Sequence, residues 1–499
     1  MKEHEYLDPA YHFLEEGNFL HKKAFAFYGL DEGLGYHEEY GQVPAVSYLV
    51  FIIWKIFGIT LWMPRLAMIF FMLGSIILTY LVAKQLTNNE YISLLSSFLM
   101  SFMPLGIYFG RNIQPDPPAL FLILLATFFY LKWTDSLKIK YIFISMLFIA
   151  IAMCFKTTFA IILIPFLFIF PYKKMLNLFK NSRKNFFGNI VFSFMGILPG
   201  VLLNLLFEVT IVDESKKNYV IEPFRIFGAD YWITRLPTIK AYISDNFTWW
   251  FFYFALLGLL LALTKYKTKF SRFAMGTIVS LIPYIALVSS KFAGHSYYQM
   301  PFMPIVCMLS AYFIYMCGSM LRQITRIKLL QFVPLLLLIL TISSVTTANN
   351  RVWDTLFYGQ EIVGEYINKQ TKRGDRMFAL SHSQSLAVCS YAKRGCGWVN
   401  TLKEFKHKEN VFNIEFLYID AGKFNILKNN KELFKYVSNN YRIDFVGMIQ
   451  TGNNLVPLHF LLKKGGMFNM SDIKNNRPIL KETYDTKRGN VEYFWVKND

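Results

Sequence analysis

Ten stretches of the chain run apolar with almost no charge, at about residues 66–83, 91–108, 118–133, 141–155, 157–171, 189–207, 249–264, 273–289, 299–317 and 329–346. Each approaches the roughly 20 residues with which an α-helix crosses a bilayer, and several fall a little short. The pattern predicts a transmembrane domain of about ten helices over 66–347. A further apolar stretch, "VPAVSYLVFIIWKIFG" at 43–58, is shorter and carries Lys55 near its end. It predicts an interfacial or re-entrant helix better than a crossing.

From about residue 350 the pattern changes. Short apolar runs ("RMFALS", "EFLYIDA", "RIDFVGMI", "VEYFWVKN") alternate with helix-like stretches ("QEIVGEYINKQ", "NKELFKYVSNNY"), which predicts a soluble α/β domain over 348–499. No repeat, heptad array or long linker interrupts the order of one membrane domain followed by one soluble domain.

Composition agrees: 54% hydrophobic and 18% aromatic residues against 17% charged lie outside the range of soluble globular chains. The net charge of +19 would suggest nucleic acid were it clustered on a polar domain. It lies instead in short loops between apolar runs: Lys173, Lys174, Lys180, Arg183 and Lys184; Lys265, Lys267, Lys269 and Arg272; Arg322, Arg326 and Lys328. That is the positive-inside signal, and it sets nucleic-acid binding aside. With those loops in the cytoplasm, alternation places the 109–116, 208–248 and 290–298 loops and everything after about 348 outside. Residues 1–65 are then expected outside as a juxtamembrane layer; were 43–58 to cross, residues 1–42 would be cytoplasmic.

The five cysteines show no metal-binding spacing. Only Cys389 and Cys396 are placed to pair, and spacing alone does not require that they do. His382 and Ser383 have no third partner and read as surface polar residues.

Candidate chemistry begins with "YFGRNIQPDPPALF" at 108–121, where Asp116 stands between two prolines at the outer start of a span. A carboxylate at that boundary is costly unless solvated or paired; the plain alternative is that it caps the following helix. Topology places a second set of carboxylates, Glu3, Glu5 and Asp8, on the same side of the membrane. Two acidic loops on one face suit a transferase working at a membrane surface.

These residues resemble the GT-C glycosyltransferases, and among them the protein O-mannosyltransferases and aminoarabinose transferases, which use polyprenyl-phosphate sugars. The family's first external loop carries DE-x-x-Y-x-D-P-A followed by a helix and a glycine. "KEHEYLDPAYHFLEEG" matches it at Glu3, Tyr6, Asp8, Pro9, Ala10 and Gly17, and departs at Lys2, where the family usually has aspartate. "YGQVPAVSYLVFIIWKIFG" is similar to the family's juxtamembrane helix, and Arg65 in "PRLAMIF" to the arginine opening the next span. "RNIQPDPPALF" resembles its second acidic motif, "FKTTFAIILIP" its lysine-bearing turn, "HSYYQMPFMP" its late His-x-Tyr-Tyr stretch, and "SYAKRGCGW" the tail of many bacterial members. An amphipathic acidic start with no hydrophobic span before it then reads as a first external loop. The resemblance implies an in-frame span upstream, with an acid just before Glu3.

The resemblance implies a polytopic α-helical GT-C membrane protein with an extracytoplasmic α/β domain, in the plasma membrane. Its activity would be transfer of a hexose or pentose from a polyprenyl-phosphate donor to the hydroxyl of a lipid, glycan or protein acceptor. Asp116, Glu3, Asp8 and Glu5 would supply the carboxylates, one taking the acceptor's proton. Arg65, Arg111, Lys156, Lys291, His295, Tyr297 and Tyr298 would hold donor and leaving phosphate. Each has a plain alternative: snorkelling for Lys156 and Lys291, an aromatic belt for Tyr297 and Tyr298, an interface histidine for His295. No cofactor is required, and two carboxylates permit a divalent cation without demanding one. The 208–248 loop, with Arg225, Asp230, Trp232, Arg235, Trp249 and Trp250, would be a lid over the site or a solvated connector; the sequons at Asn246 and Asn469 are too common to interpret. A transporter or lipid-linked-sugar flippase is the competing function, disfavoured because charges cluster at membrane boundaries and no internal repeat is visible. A membrane-anchored binding protein, with the tail as its recognition module, is a third.

Overall fold

The structure is a computed structural model, described at residues 3–17, 19, 23–25, 30, 37–38, 43–209, 226–353, 358–372, 374–381, 387–451, 454–469, 476–486 and 489–497. The chain forms two compact units, one made of 40–49 and 56–352, the other of 1–39, 50–55 and 353–499.

The larger unit is helical. Among the described residues seven helices are long and apolar enough to cross a membrane: Trp62–Thr87, Asp116–Ser136, Arg183–Phe207, Ala229–Leu263, Lys269–Leu287, Ser296–Thr325 and Lys328–Arg351. An eighth arises if the pair Thr157–Phe168 and Tyr172–Asn181, bent by 74°, is one span. Three of the ten apolar runs are therefore shorter or broken helices, for local reasons. The 91–108 run breaks at Met103, whose backbone is extended (φ −66°, ψ 121°) before Pro104, because the proline ring excludes the helical region for its predecessor. The 141–155 run forms helix Ile139–Phe155 and stops at Lys156, also extended. The 157–171 run continues as 3₁₀ turns over Thr157–Ile162 and a six-residue helix, Leu163–Phe168. Ala45–Phe57 has 13 residues, about 20 Å of helix against a hydrocarbon core of about 30 Å.

Helices Arg183–Phe207 and Lys328–Arg351 bury only 17% of their most apolar windows, leaving Phe194 and Ile342 more than half exposed. Such surfaces suit a solvent of lipid tails. Inside the bundle, small residues bring backbones together: a Cβ on Gly258 would stand 2.0 Å from the Leu309 carbonyl oxygen. Polar groups find partners across helices, as where Trp133 Nε1 donates to Asn189 Oδ1 at 2.7 Å.

The second unit is α/β. A two-residue ladder pairs β1 (Lys23–Ala24) with β2 (His37–Glu38). A seven-stranded sheet comprises β3 (Arg376–Leu380), β4 (Gly395–Gly397), β5 (Phe416–Asp420), β6 (Tyr441–Thr451), β7 (Asn454–Lys464), β8 (Ile479–Thr486) and β9 (Gly489–Lys497), in the order β4-β3-β5-β7-β6-β9-β8. β3 runs parallel to β4 and β5, and the remaining pairs are antiparallel. The continuous apolar character of β3 and β5 follows from burial on both faces: Phe378, Leu417 and Ile419 enter one core with Phe405 and Tyr441, while Met377, Phe416 and Tyr418 enter another with Val363 and Trp495. Cys389 and Cys396 form a disulfide between helix Ala387–Ala392 and β4.

The opening acidic stretch belongs to this unit as helix His4–Glu16, closed by Gly17 in the left-handed conformation (φ 68°), whose N–H reaches the Phe13 carbonyl. The middle of the lid candidate, 210–225, lies outside the described residues, as do Arg225, His382 and Ser383.

Candidate active site

Helix Asp116–Ser136 begins at Asp116 itself, with Pro115 at the N-cap and no side-chain cap bond. Pro117 and Pro118 have no N–H groups in the first turn, so a carboxylate at Asp116 has no such donors to cap. It turns to Lys156 instead: Lys156 Nζ donates to Asp116 Oδ1 at 2.8 Å, with the side chains 6% and 0% exposed. Capping and snorkelling thus give way to a buried ion pair between residues 40 apart in sequence.

Lys156 is aimed by the helix break. Its N–H is spent on the Ala152 carbonyl at 2.8 Å, and its extended backbone turns the side chain off the helix axis toward two phenol rings. Nζ stands 3.9 Å from the Tyr298 ring centroid and 4.7 Å from that of Tyr297. A cation against both faces and a carboxylate is well held in a medium of low dielectric.

The two tyrosines are held in turn. They lie on a 3₁₀ stretch, Ser296–Phe302, entered through extended His295. The Tyr284 hydroxyl donates to the Tyr298 carbonyl at 2.8 Å. Asn246 Nδ2 donates to the Ser296 carbonyl and to Gln299 Oε1, both at 2.8 Å. The His295 ring stacks on Tyr297 with centroids 5.3 Å apart, and Phe109 meets Tyr297 edge-on at 5.6 Å.

Asp116, Lys156, His295, Tyr297 and Tyr298 therefore come together. Lys291 is exposed, its charge near enough to act on that of Lys156. Arg111 lies over the Tyr108 ring at 5.7 Å, and Arg65 is exposed in the first turn of Trp62–Thr87. Glu3, Glu5 and Asp8 belong to the α/β unit, Glu3 and Glu5 half-buried at the start of its N-terminal helix. Asp8 is buried and accepts bonds from the Ser390 hydroxyl at 2.8 Å and the Phe25 N–H at 3.1 Å. Burial pushes its carboxyl up to about 7, although both bonds pull the other way.

Asn246, Gln299 and Tyr284 support the site without having been singled out as such. The signal for Tyr284 and Gln299 was polarity inside apolar runs; Asn246, read as a sequon in the 208–248 loop, is 2% exposed and lies within a helix. Among the described residues no three His, Cys, Asp or Glu side chains converge on a metal position.

Residues 42–202, which include Arg65, Arg111, Asp116 and Lys156, match the family described as dolichyl-phosphate-mannose-protein mannosyltransferase. The chain superposes on the oligosaccharyltransferase of Archaeoglobus fulgidus in its apo form, with a TM-score of 0.56 at 11% identity, over 91% of this chain and 70% of that one. It also superposes on ArnT of Cupriavidus metallidurans, with a TM-score of 0.51 at 10% identity, over 92% and 93% of the two chains. The fold is that of the GT-C glycosyltransferases. No curated protein sequence matches the chain. Among structures sharing this GT-C fold, the same ArnT has been seen bound to undecaprenyl phosphate (TM-score 0.51, 9% identity, 92% and 93% coverage). The archaeal enzyme AglB has been seen with an inhibitory peptide and a dolichol-phosphate (TM-score 0.55, 11% identity, 91% and 69% coverage).

Proposed function

We propose that the protein is a membrane glycosyltransferase that moves a sugar from a polyprenyl-phosphate donor to an acceptor hydroxyl at the outer face of the plasma membrane. The observation that carries this reading is the buried Asp116–Lys156 pair under Tyr297 and Tyr298. In the reaction the acceptor oxygen attacks the anomeric carbon, the carbon–oxygen bond to phosphate breaks, and the electron pair leaves with the polyprenyl phosphate. Lys156 supplies positive charge and His295 a hydrogen bond where that negative charge gathers, and Asp116, bonded to Lys156 Nζ, favours the charged amine and aims it. The acceptor's proton passes to a carboxylate, for which Asp116, Glu3, Glu5 and Asp8 are the candidates that the sequence offers.

The orientation is supported from within the membrane unit. At the far end of helix Asp116–Ser136, Lys174 Nζ binds the Thr134 and Asp135 carbonyls, and Lys269 Nζ stands 2.6 Å from Asp135 Oδ1. Basic loops thus gather about 30 Å along the helix from Asp116, which under the positive-inside rule supports reading Asp116 at the outer boundary.

The test is transfer by the purified full-length protein in lipid, offered polyprenyl-phosphate mannose, glucose or aminoarabinose with cell-envelope acceptors. Transfer that falls at least a hundredfold in Asp116→Asn and Lys156→Met, with normal membrane insertion, is the expected result. A flippase would move the intact lipid-linked sugar across the bilayer without releasing polyprenyl phosphate, and that outcome would replace the proposal.

A further inference from the structure

Helix Ala229–Leu263 changes direction at Thr248, whose backbone lies at φ 57°, ψ 155°. That region is all but reserved for glycine, because a Cβ crowds the backbone there. The side chain is no better accommodated: Thr248 is 2% exposed, and its Oγ1 has no hydrogen-bond partner among the described residues. A strained backbone and an unsatisfied buried hydroxyl at one residue are two costs that a native protein retains where something else uses the group.

Thr248 lines a groove of about 450 Å³ between this helix and helix Leu337–Trp353. One wall is aromatic: Trp249 and Tyr253 stack with centroids 5.9 Å apart and 27° between planes, and Trp250 is 39% exposed. The other wall offers the hydroxyls of Ser343 and Thr347. At one side Arg351 Nη1 donates to Asp245 Oδ1 at 2.6 Å, so the groove's two formal charges cancel.

The combination selects among occupants. A phosphate headgroup wants a surplus of positive charge, which the Asp245–Arg351 pair removes. An acyl chain would bury hydroxyls without satisfying them. A pyranose ring fits both halves: its C–H face lies on an indole, and its hydroxyls pair with threonine, serine and the carboxylate–guanidinium pair. An aromatic belt explains tryptophan at a membrane boundary but neither the Thr248 backbone nor its hydroxyl.

We infer that this groove is a subsite for a neutral saccharide, the glycan part of the acceptor. Two residues before the kink, Asn246 is bonded to the segment that carries Tyr297 and Tyr298, so one stretch of helix links the groove to the Asp116–Lys156 pair. The word acceptor rests on the transferase reading; saccharide recognition by the groove does not.

Saturation-transfer NMR and tryptophan fluorescence on the full-length protein in phospholipid nanodiscs test it, with mannotriose, maltotriose and chitotriose as neutral probes and glycerol phosphate as the charged one. At least one trisaccharide should bind, tenfold or more weakly in Trp250→Ala and Asp245→Asn. Thr248→Val keeps the branched shape and removes only the hydroxyl, so affinity should fall similarly while the melting temperature holds or rises. Binding by no trisaccharide, preference for glycerol phosphate, or unchanged affinity in Thr248→Val would each overturn the subsite. Asp116→Asn should abolish transfer and leave saccharide binding intact. If the wild-type protein binds a trisaccharide yet transfers sugar from no lipid donor, the groove stands and the acceptor role falls.

Discussion

The Ser390 hydroxyl donates to Asp8 at 2.8 Å across 382 residues of chain, tying the N-terminal helix to helix Ala387–Ala392 of the α/β unit. Asp8 is both a carboxylate of the acidic motif and a buried joint in the fold. Its carboxyl is raised by burial from 3.8 to about 7, so between those values the folded protein holds a proton that the unfolded chain has lost. Stability therefore falls as pH rises through that window and levels off above about 7, by an amount on the order of a few kcal/mol. Asp8→Asn keeps an acceptor for Ser390 and Phe25 and should flatten the decline. Thermal unfolding of the α/β unit in the intact protein from pH 5 to pH 8 reads both slopes.

Asp116→Asn leaves Lys156 buried without its carboxylate and should cost about 3–5 kcal/mol. Replacing both together, Asp116→Leu with Lys156→Met, should recover much of that stability and none of the transfer activity. Melting temperatures beside transfer rates separate the two effects; a double variant as unstable as the single one would show that the pair matters mainly to packing.

The Cys389–Cys396 bridge closes a short loop and should contribute about 2–3 kcal/mol. Reduction, or Cys396→Ser, is expected to lower the unfolding temperature of the α/β unit while leaving the helical unit unchanged. Thiol labelling of intact cells before and after reduction gives the companion measurement. Two additional reactive cysteines appearing only after reduction would fit an oxidising, extracytoplasmic location.

Gly258→Ala puts a methyl group 2.0 Å from the Leu309 carbonyl oxygen, so helix Ala229–Leu263 must move away from Met303–Thr325. The expected loss is at least about 1–3 kcal/mol. Gly422→Ala, with nothing within 4 Å of the added carbon, is the control and should change the melting temperature little.

The membrane pattern was legible because the bilayer is read residue by residue: every run of apolar side chains announced a helix or part of one. The α/β strands were legible for a similar reason, since β3 and β5 are apolar on both faces and β6 and β9 each carry a short apolar run. β7, "NLVPLHFLLKK", and β8, "ILKETYDT", passed unread, the first interrupted by Pro457 and the second by exposed, charged positions. Reading ten crossings overshot where a single backbone angle decided the outcome. Met103 and Lys156 turn extended, and three apolar runs become short or broken helices.

By itself the sequence determined which segments are apolar enough for lipid, which loops are basic, and that carboxylates stand at two places near membrane boundaries. These properties are sums over neighbouring residues. Only the tertiary structure decided that Asp116 answers Lys156 instead of its own helix, that Asp8 answers Ser390, that Cys389 joins Cys396, and that Thr248 is strained beside a groove. The physical reason is that apolar burial is non-directional and can be met by any lipid or helix, whereas a buried charge or hydroxyl must meet one particular partner at hydrogen-bonding distance. Helix packing chooses that partner, whatever the separation along the chain.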